Sequence, residues 1–319
     1  MGPGKALELL MKNTLLQIGF SQVRSDNRYI FDGTAGQMIQ GLGDAHNADV
    51  LLEPPVQIPF YAPTRLLIEC KDYLRPVSLN ILRSALGLRE DINHFEIVDE
   101  TEIRARQRNR RAGIVHSHQR YLYQVAVAST SGFSRPAQNF ALSHRIPLIE
   151  VNKMPFWEEF YAAARRTHHY VGVVGYRKMT ADDQHLMEII NDIASKSAVA
   201  ITNTGQMLFL YRISGGETDF GDSYSLHWNS PNEPWTLCSG QKRYQFQLPK
   251  YIMQYWLESS TTDLERKVNA INCKANFFSS MVVYYSDEYG HPKLKMVSID
   301  HYMLEDALKK LKGEEQSVD

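Results

Sequence analysis

Two apolar runs, Val50-Leu51-Leu52 and Leu66-Leu67-Ile68, constrain this chain more than any other feature, because each stops at a carboxylate. Asp49 opens the first run, Glu69 closes the second, and a Pro-rich link from Glu53-Pro54-Pro55 to Ala62-Pro63 joins them. Short apolar runs bounded by turn residues read as strands. Paired as a hairpin, they set Asp49 beside Glu69. Lys71, two residues further on, falls on the same face as Glu69. Cys70 falls on the opposite face and reads as buried packing. Charged groups converging where apolar strands end are poorly accounted for by folding alone. They suit a divalent-metal site with a charged helper. The plain alternative is a surface hairpin with a salt-bridged Glu/Lys pair.

The chain around this hairpin alternates elements. Leu7, Leu9, Leu10, Leu15, Leu16 and Ile18 predict a helix over 6–20 ending at Gly19, with Glu8 as its only acid. Gln22 to Ile30 reads as extended, and Asp32-Gly33-Thr34 as a turn. Pro76 opens a second periodic helix, with Val77, Leu79, Ile81, Leu82, Leu86 and Leu88 on its apolar side. Tyr121 to Ala128 reads as a buried strand, Arg135 to His144 as a helix and Pro147 to Val151 as a strand, an order that predicts a parallel crossover. Further on, helices are predicted at 181–197, 248–257, 263–273 and 304–315. Strands are predicted at 224–235 and 242–247, with hairpins turning at Asn203-Thr204-Gly205 and Asp287-Glu288-Tyr289-Gly290.

Composition narrows the class. With 319 residues, 43% hydrophobic and 22% charged, the chain reads as a globular protein of two domains, divided at 168/169. No apolar run approaches the roughly 18 residues of a membrane span. The start, Met1 to Lys5, leads into an amphipathic segment rather than a signal peptide. Three scattered cysteines, Cys70, Cys238 and Cys273, predict neither a disulfide framework nor a zinc ribbon and fit a reducing cytoplasm. A net charge of −1 gives no global attraction to nucleic acid, so any such contact rests on local patches.

The stretch Gly41-Leu42-Gly43-Asp44-Ala45-His46-Asn47-Ala48-Asp49-Val50, followed by Leu66-Leu67-Ile68-Glu69-Cys70-Lys71, resembles the core of the PD-(D/E)xK nuclease superfamily, and within it the Mrr-type restriction-endonuclease-like proteins. Val125 to Ala141, with Gly132-Phe133-Ser134 at its centre, is similar to the strand and helix that follow the catalytic hairpin in that group. The resemblance covers roughly residues 5–152. Ala48 departs from the proline that gives the family its name.

The resemblance implies an α/β fold, a restriction-endonuclease-like mixed central sheet flanked by helices, with a C-terminal α+β domain added. It implies Asp49, Glu69 and Lys71 as the catalytic set. Mg²⁺, with Mn²⁺ as a substitute, would be held by Asp49, Glu69, the Cys70 backbone carbonyl and Glu8, whose other reading is a solvated helix residue. The activity implied is DNA cleavage in bacterial restriction or phage defence, with RNA an open substrate. A homodimer, and a partner protein or activating ligand, are the partners expected, and no membrane. Two rivals remain: a silent nucleic-acid-binding or scaffold protein of the same fold, and a nuclease gated by a ligand on its C-terminal half.

Other features carry two readings each. The basic run Arg104, Arg106, Arg108, Arg110 and Arg111 would contact phosphates or form a solvated insertion balanced by Asp99-Glu100-Thr101-Glu102. Ser131 and Arg135 would touch the nucleic-acid backbone, and Ser129, Thr130 and Ser131 serve equally as helix caps. His46 and Asp44 would orient water or, on the plainer reading, close a Gly-rich turn. His116/His118 and His168/His169 lack metal-ligand spacing and read as non-ligands. The aromatics of the second half, Tyr211, Tyr224, Trp228, Trp235, Tyr244, Phe246, Tyr251, Tyr255 and Trp256, would stack bases or fill a core.

Overall fold

The computed structural model of the chain describes residues 3–26, 29–33, 36–57, 62–95, 108, 121–167, 180–215, 220–227, 233–248, 262–287 and 289–316. The first helix, α1 (Pro3–Gln17), buries Leu7, Leu10, Met11 and Leu15, spaced three and four residues apart. It ends at Gly19, which has φ +103°. A Cβ there would lie 2.3 Å from Pro292 Cβ, so both the backbone angle and the neighbour call for glycine.

β1 (Ser21–Gln22) is shorter than the extended segment predicted. The Asp26 carboxylate accepts hydrogen bonds from the amides of Tyr29 and Ile30, which turns the chain instead. β2 (Ile30–Gly33), β3 (Gly36–Gln40) and β4 (Ala45–Asn47) form a small antiparallel sheet. β5 (Val50–Glu53) and β6 (Thr64–Lys71) make the antiparallel hairpin. α2 (Leu79–His94) starts three residues after Pro76. Val77 is not on it: its amide donates to Gly132 O (2.9 Å), and it bridges to Phe133.

β7 (Leu122–Ser129) runs parallel to β6, α3 (Arg135–Ser143) crosses over, and β8 (Leu148–Glu150) runs parallel to β7. The sheet order is β1-β5-β6-β7-β8. Its alternating side chains feed two cores. Leu51, Leu67, Val125 and Val127 pack toward α2 and α3. Val50, Leu52, Leu66, Ile68, Ala126 and Ala128 pack toward α1 and α4 (Trp157–Arg166).

α5 (Ala181–Ser195), opened by a capping box between Thr180 and Asp183, carries Leu186, Ile189, Ile190 and Ile193 into that second core. β9 (Ser197–Thr202), β10 (Met207–Ser214), β11 (Ser223–His227), β12 (Trp235–Ser239), β13 (Lys242–Phe246), β14 (Ser280–Ser286) and β15 (Pro292–Ile299) close into a barrel ordered β10-β13-β12-β11-β15-β14-β9. α6 (Asp263–Phe277) and α7 (His301–Gln316) accompany it. The strand predicted over 224–235 is therefore two strands, paired antiparallel, with 228–232 outside the described residues. Tyr224, Trp235, Tyr244 and Phe246 fill the barrel core, so their role is packing, whereas Trp228, Tyr251, Tyr255 and Trp256 lie outside the described residues.

The two halves share apolar contacts. Val199, Met207, Phe209 and Tyr284 from the barrel wall join the core built on α1 and α5. A buried polar tie lies beside them: Gln247 Nε2 donates to Glu150 Oε2 (2.7 Å), and Gln247 Oε1 accepts from the Lys153 amide (3.1 Å). The predicted boundary at 168/169 falls in 168–179, outside the described residues, as do residues 249–257 of the predicted helix over 248–257. Among the described residues no helix is long and apolar enough to cross a membrane.

Candidate active site

The hairpin register sets Val50 opposite Ile68, which leaves Asp49 facing Glu69 at the same end of the sheet. Asp49 stands one residue outside β5. Its side chain continues the ladder where the backbone does not: Oδ2 accepts the Cys70 amide at 2.9 Å, and Oδ1 lies 3.3 Å from Asn47 Nδ2. Lys71 Nζ donates to Glu69 Oε2 at 2.6 Å and lies 3.7 Å from Asp49 Oδ2. The side chains of Asp49, Glu69 and Lys71 are 16%, 15% and 20% exposed, deep enough to strengthen their interaction and open enough for a ligand.

Electrostatics follow from crowding two carboxylates onto one ammonium. Burial raises the Glu69 carboxyl, the Asp49 charge raises it further, and the hydrogen bond and charge of Lys71 pull the other way. Burial lowers the Lys71 ammonium, but its hydrogen bond to Glu69 and the charges of Glu69 and Asp49 outweigh that and hold it above the ordinary lysine value. Glu8, on α1, is hydrogen-bonded by Lys5; burial raises its carboxyl, and it also feels Asp49 and Lys71. Cys70 is half-buried against the core, and burial pushes its thiol well up. Together these groups carry more negative than positive charge around a small, partly shielded volume.

The donor set fits a hard divalent cation. Asp49, Glu69 and the backbone carbonyl of Cys70 are all oxygen donors, with Glu8 as a further carboxylate nearby. Among the described residues no three His, Cys, Asp or Glu side chains form a ready cage.

No family model, curated protein or solved structure matches the chain.

The surroundings hold residues that the sequence did not single out. Asp91, on α2, accepts from the Gly43 amide (2.8 Å) and pairs with His46 Nε2 (2.7 Å), and its backbone carbonyl accepts the Leu42 amide (3.0 Å). These bonds, led by the one to His46, hold the Asp91 carboxyl below its usual range. They pin the Gly-rich turn to α2. Asp44 accepts the Ala45 amide (2.7 Å), a turn role. Asp91 lies 45 residues from His46, a separation at which only a position-by-position contact signal would have revealed it.

After Lys71 the chain runs into an exposed loop, Asp72 to Pro76, flanking an open groove of about 620 Å³. The Ser131 hydroxyl donates to Arg75 O (2.7 Å) and the Thr130 hydroxyl to Asp72 Oδ1 (2.8 Å), so both serve this loop. Arg135 is exposed at the start of α3. Arg108 is exposed, and Arg104, Arg106, Arg110, Arg111, His116, His118, His168 and His169 lie outside the described residues.

Proposed function

We propose that this chain is a metal-dependent endodeoxyribonuclease, with a restriction-endonuclease-like half carrying the reaction centre and a barrel half that recognises substrate, regulates or dimerises. The observation that carries the reading is the convergence of Asp49, Glu69 and Lys71 at one sheet end. Asp49, Glu69 and the Cys70 carbonyl, with Glu8 alongside, would hold Mg²⁺, or Mn²⁺ in its place. A bound cation of this kind supplies charge stabilisation at a phosphoryl oxygen and a more acidic water.

The chain's own groups do the rest. The hydrogen bond to Glu69 and the charges of Glu69 and Asp49 raise the Lys71 ammonium. Its ammonium would donate to a phosphate oxygen, or the residue would orient or help deprotonate the attacking water. Asp49 is held in place by the Cys70 amide, so its orientation is set before substrate arrives. The wider setting that the family resemblance suggests, restriction or phage defence in a bacterial cytoplasm with a homodimer cutting both strands, belongs to the same proposal.

The rival is a silent binding or scaffold protein of the same fold. It is favoured by one observation: Lys71 already neutralises Glu69 at 2.6 Å, as a structural salt bridge would. Supercoiled plasmid and single-stranded DNA incubated with Mg²⁺, Mn²⁺ or EDTA, beside the Lys71→Ala protein, separate the two. Metal-dependent cutting that the substitution abolishes is the result expected. Binding without turnover in either metal would favour the silent protein.

A further inference from the structure

We propose that the groove beside Lys71 receives an unpaired nucleotide of the DNA substrate, stacked on Tyr73 and Leu74, with Arg75 on its phosphate. This rests on the nuclease reading and specifies its substrate as DNA with an unstacked base next to the scissile bond.

The argument starts from two exposed apolar side chains. Leu74 is 98% exposed and Tyr73 46%. Single apolar residues at a surface need no explanation, but these two are held out by their backbone. The loop is fastened on both sides: Asp72 Oδ1 accepts the Thr130 hydroxyl (2.8 Å) and Arg75 O accepts the Ser131 hydroxyl (2.7 Å). Beyond Pro76, the Val77 amide donates to Gly132 O (2.9 Å) and the Ser134 amide to Val77 O (2.9 Å). These bonds fasten the loop on either side of its tip, where Tyr73 and Leu74 face solvent.

The second part of the argument is position. Tyr73 follows Lys71 by two residues, just past the end of β6. The groove, lined by Asp72, Tyr73, Leu74, Arg75, Pro76 and Ile81, therefore begins at the residue after Lys71, with the Asp72 carboxylate engaged by Thr130. The third is chemistry. Arg75 is exposed and has no carboxylate partner among the described residues, which leaves its guanidinium available to a phosphate. An aromatic ring beside an aliphatic tip gains most from the flat face of a base, and that face is accessible only when the base leaves its stack. Paired duplex would offer this surface its backbone and groove edges, not the face of a base.

The test uses the full chain in EDTA and two oligonucleotides, a paired duplex and the same duplex with 2-aminopurine in a short single-stranded gap. Tyr73→Ala and Leu74→Ala are expected to weaken binding to the gapped DNA about tenfold or more. Binding to the paired duplex should stay within about twofold. Wild-type protein should quench the 2-aminopurine; Tyr73→Ala should lose the quenching and Tyr73→Trp retain it. Both side chains are exposed, and matched thermal melts verify folding. Unchanged binding and quenching in the Ala variants, in a protein whose metal-dependent cutting is lost in Lys71→Ala, would overturn this proposal and leave the nuclease reading standing. Neither binding nor cutting of any DNA by the wild type would overturn both.

Discussion

Lys71 sits between two carboxylates, and its removal separates catalysis from stability. Lys71→Met is expected to lower metal-dependent cleavage about a hundredfold or more, since it deletes the donor aimed at the developing charge. It also leaves Asp49 and Glu69 facing each other without a cation. That should destabilise the fold by on the order of 1–3 kcal/mol near pH 8. The effect should shrink as pH falls into the carboxylate range, because burial raises the Glu69 carboxyl and Lys71 no longer lowers it. Urea unfolding near pH 8 and in the carboxylate range checks the second part.

Glu150 is the other buried acid with a consequence. Burial raises its carboxyl to about 7, against the opposing effects of the Lys153 charge and the hydrogen bonds from Gln247 and the Phe133 amide. A folded-state value above the unfolded one means the stabilisation is complete below about pH 4.5 and is lost as pH rises toward 7. The change amounts to on the order of 3 kcal/mol. Glu150→Gln should keep the contact to Gln247 and flatten the profile, so that the variant exceeds the wild type in stability at pH 8. Denaturation midpoints between pH 4.5 and 8 measure it.

At the scale of elements, the turn after β7 shows how backbone and side chain are matched. Gly132 has φ +75°, and a Cβ there would lie 3.3 Å from Glu150 Oε1. Gly132→Ala is expected to destabilise the chain by about 1–2 kcal/mol through the left-handed backbone alone, with thermal melting as the check. The same turn anchors the loop with Leu74, so the variant should also shift the groove.

The elements near the site were legible because apolar periodicity and turn residues agreed there. α1, β5, β6, β7, α3 and β8 all fall close to the segments read from the sequence. Asp49 facing Glu69 followed from the period-2 rule and the hairpin register. Val77 has the spacing of an α2 residue, but its amide pairs with Gly132 O, a contact that local pattern does not encode. The Asp91–His46 pair and the loop pinned by Ser131 depend on tertiary proximity and escaped for the same reason.

At the scale of the molecule, most of the short strands were readable one by one, with β11 and β12 merged into a single segment, but their closure into a barrel was not. β11 pairs in parallel with β15 across more than sixty intervening residues, and that register is a property of the assembled core. The core joining the halves makes its own prediction. Leu186 and Ile190 are buried among residues of both α1 and the barrel wall. Leu186→Ala should cost about 2–5 kcal/mol. Unfolding followed by far-UV circular dichroism and by tryptophan fluorescence should give coincident transitions, both shifted in the variant. Two separated transitions, with only one moved, would contradict a shared core.

The most direct test of the central claim is a calorimetric titration of Mn²⁺ into the wild-type, Lys71→Met and Glu69→Gln proteins. If Asp49 and Glu69 form a cation site that Lys71 partly occupies, the wild type binds one ion. Lys71→Met then binds it more tightly while no longer cutting DNA, and Glu69→Gln loses it. An absence of saturable binding in all three proteins would mean that the cluster is a salt bridge and that the chain does not act through this site.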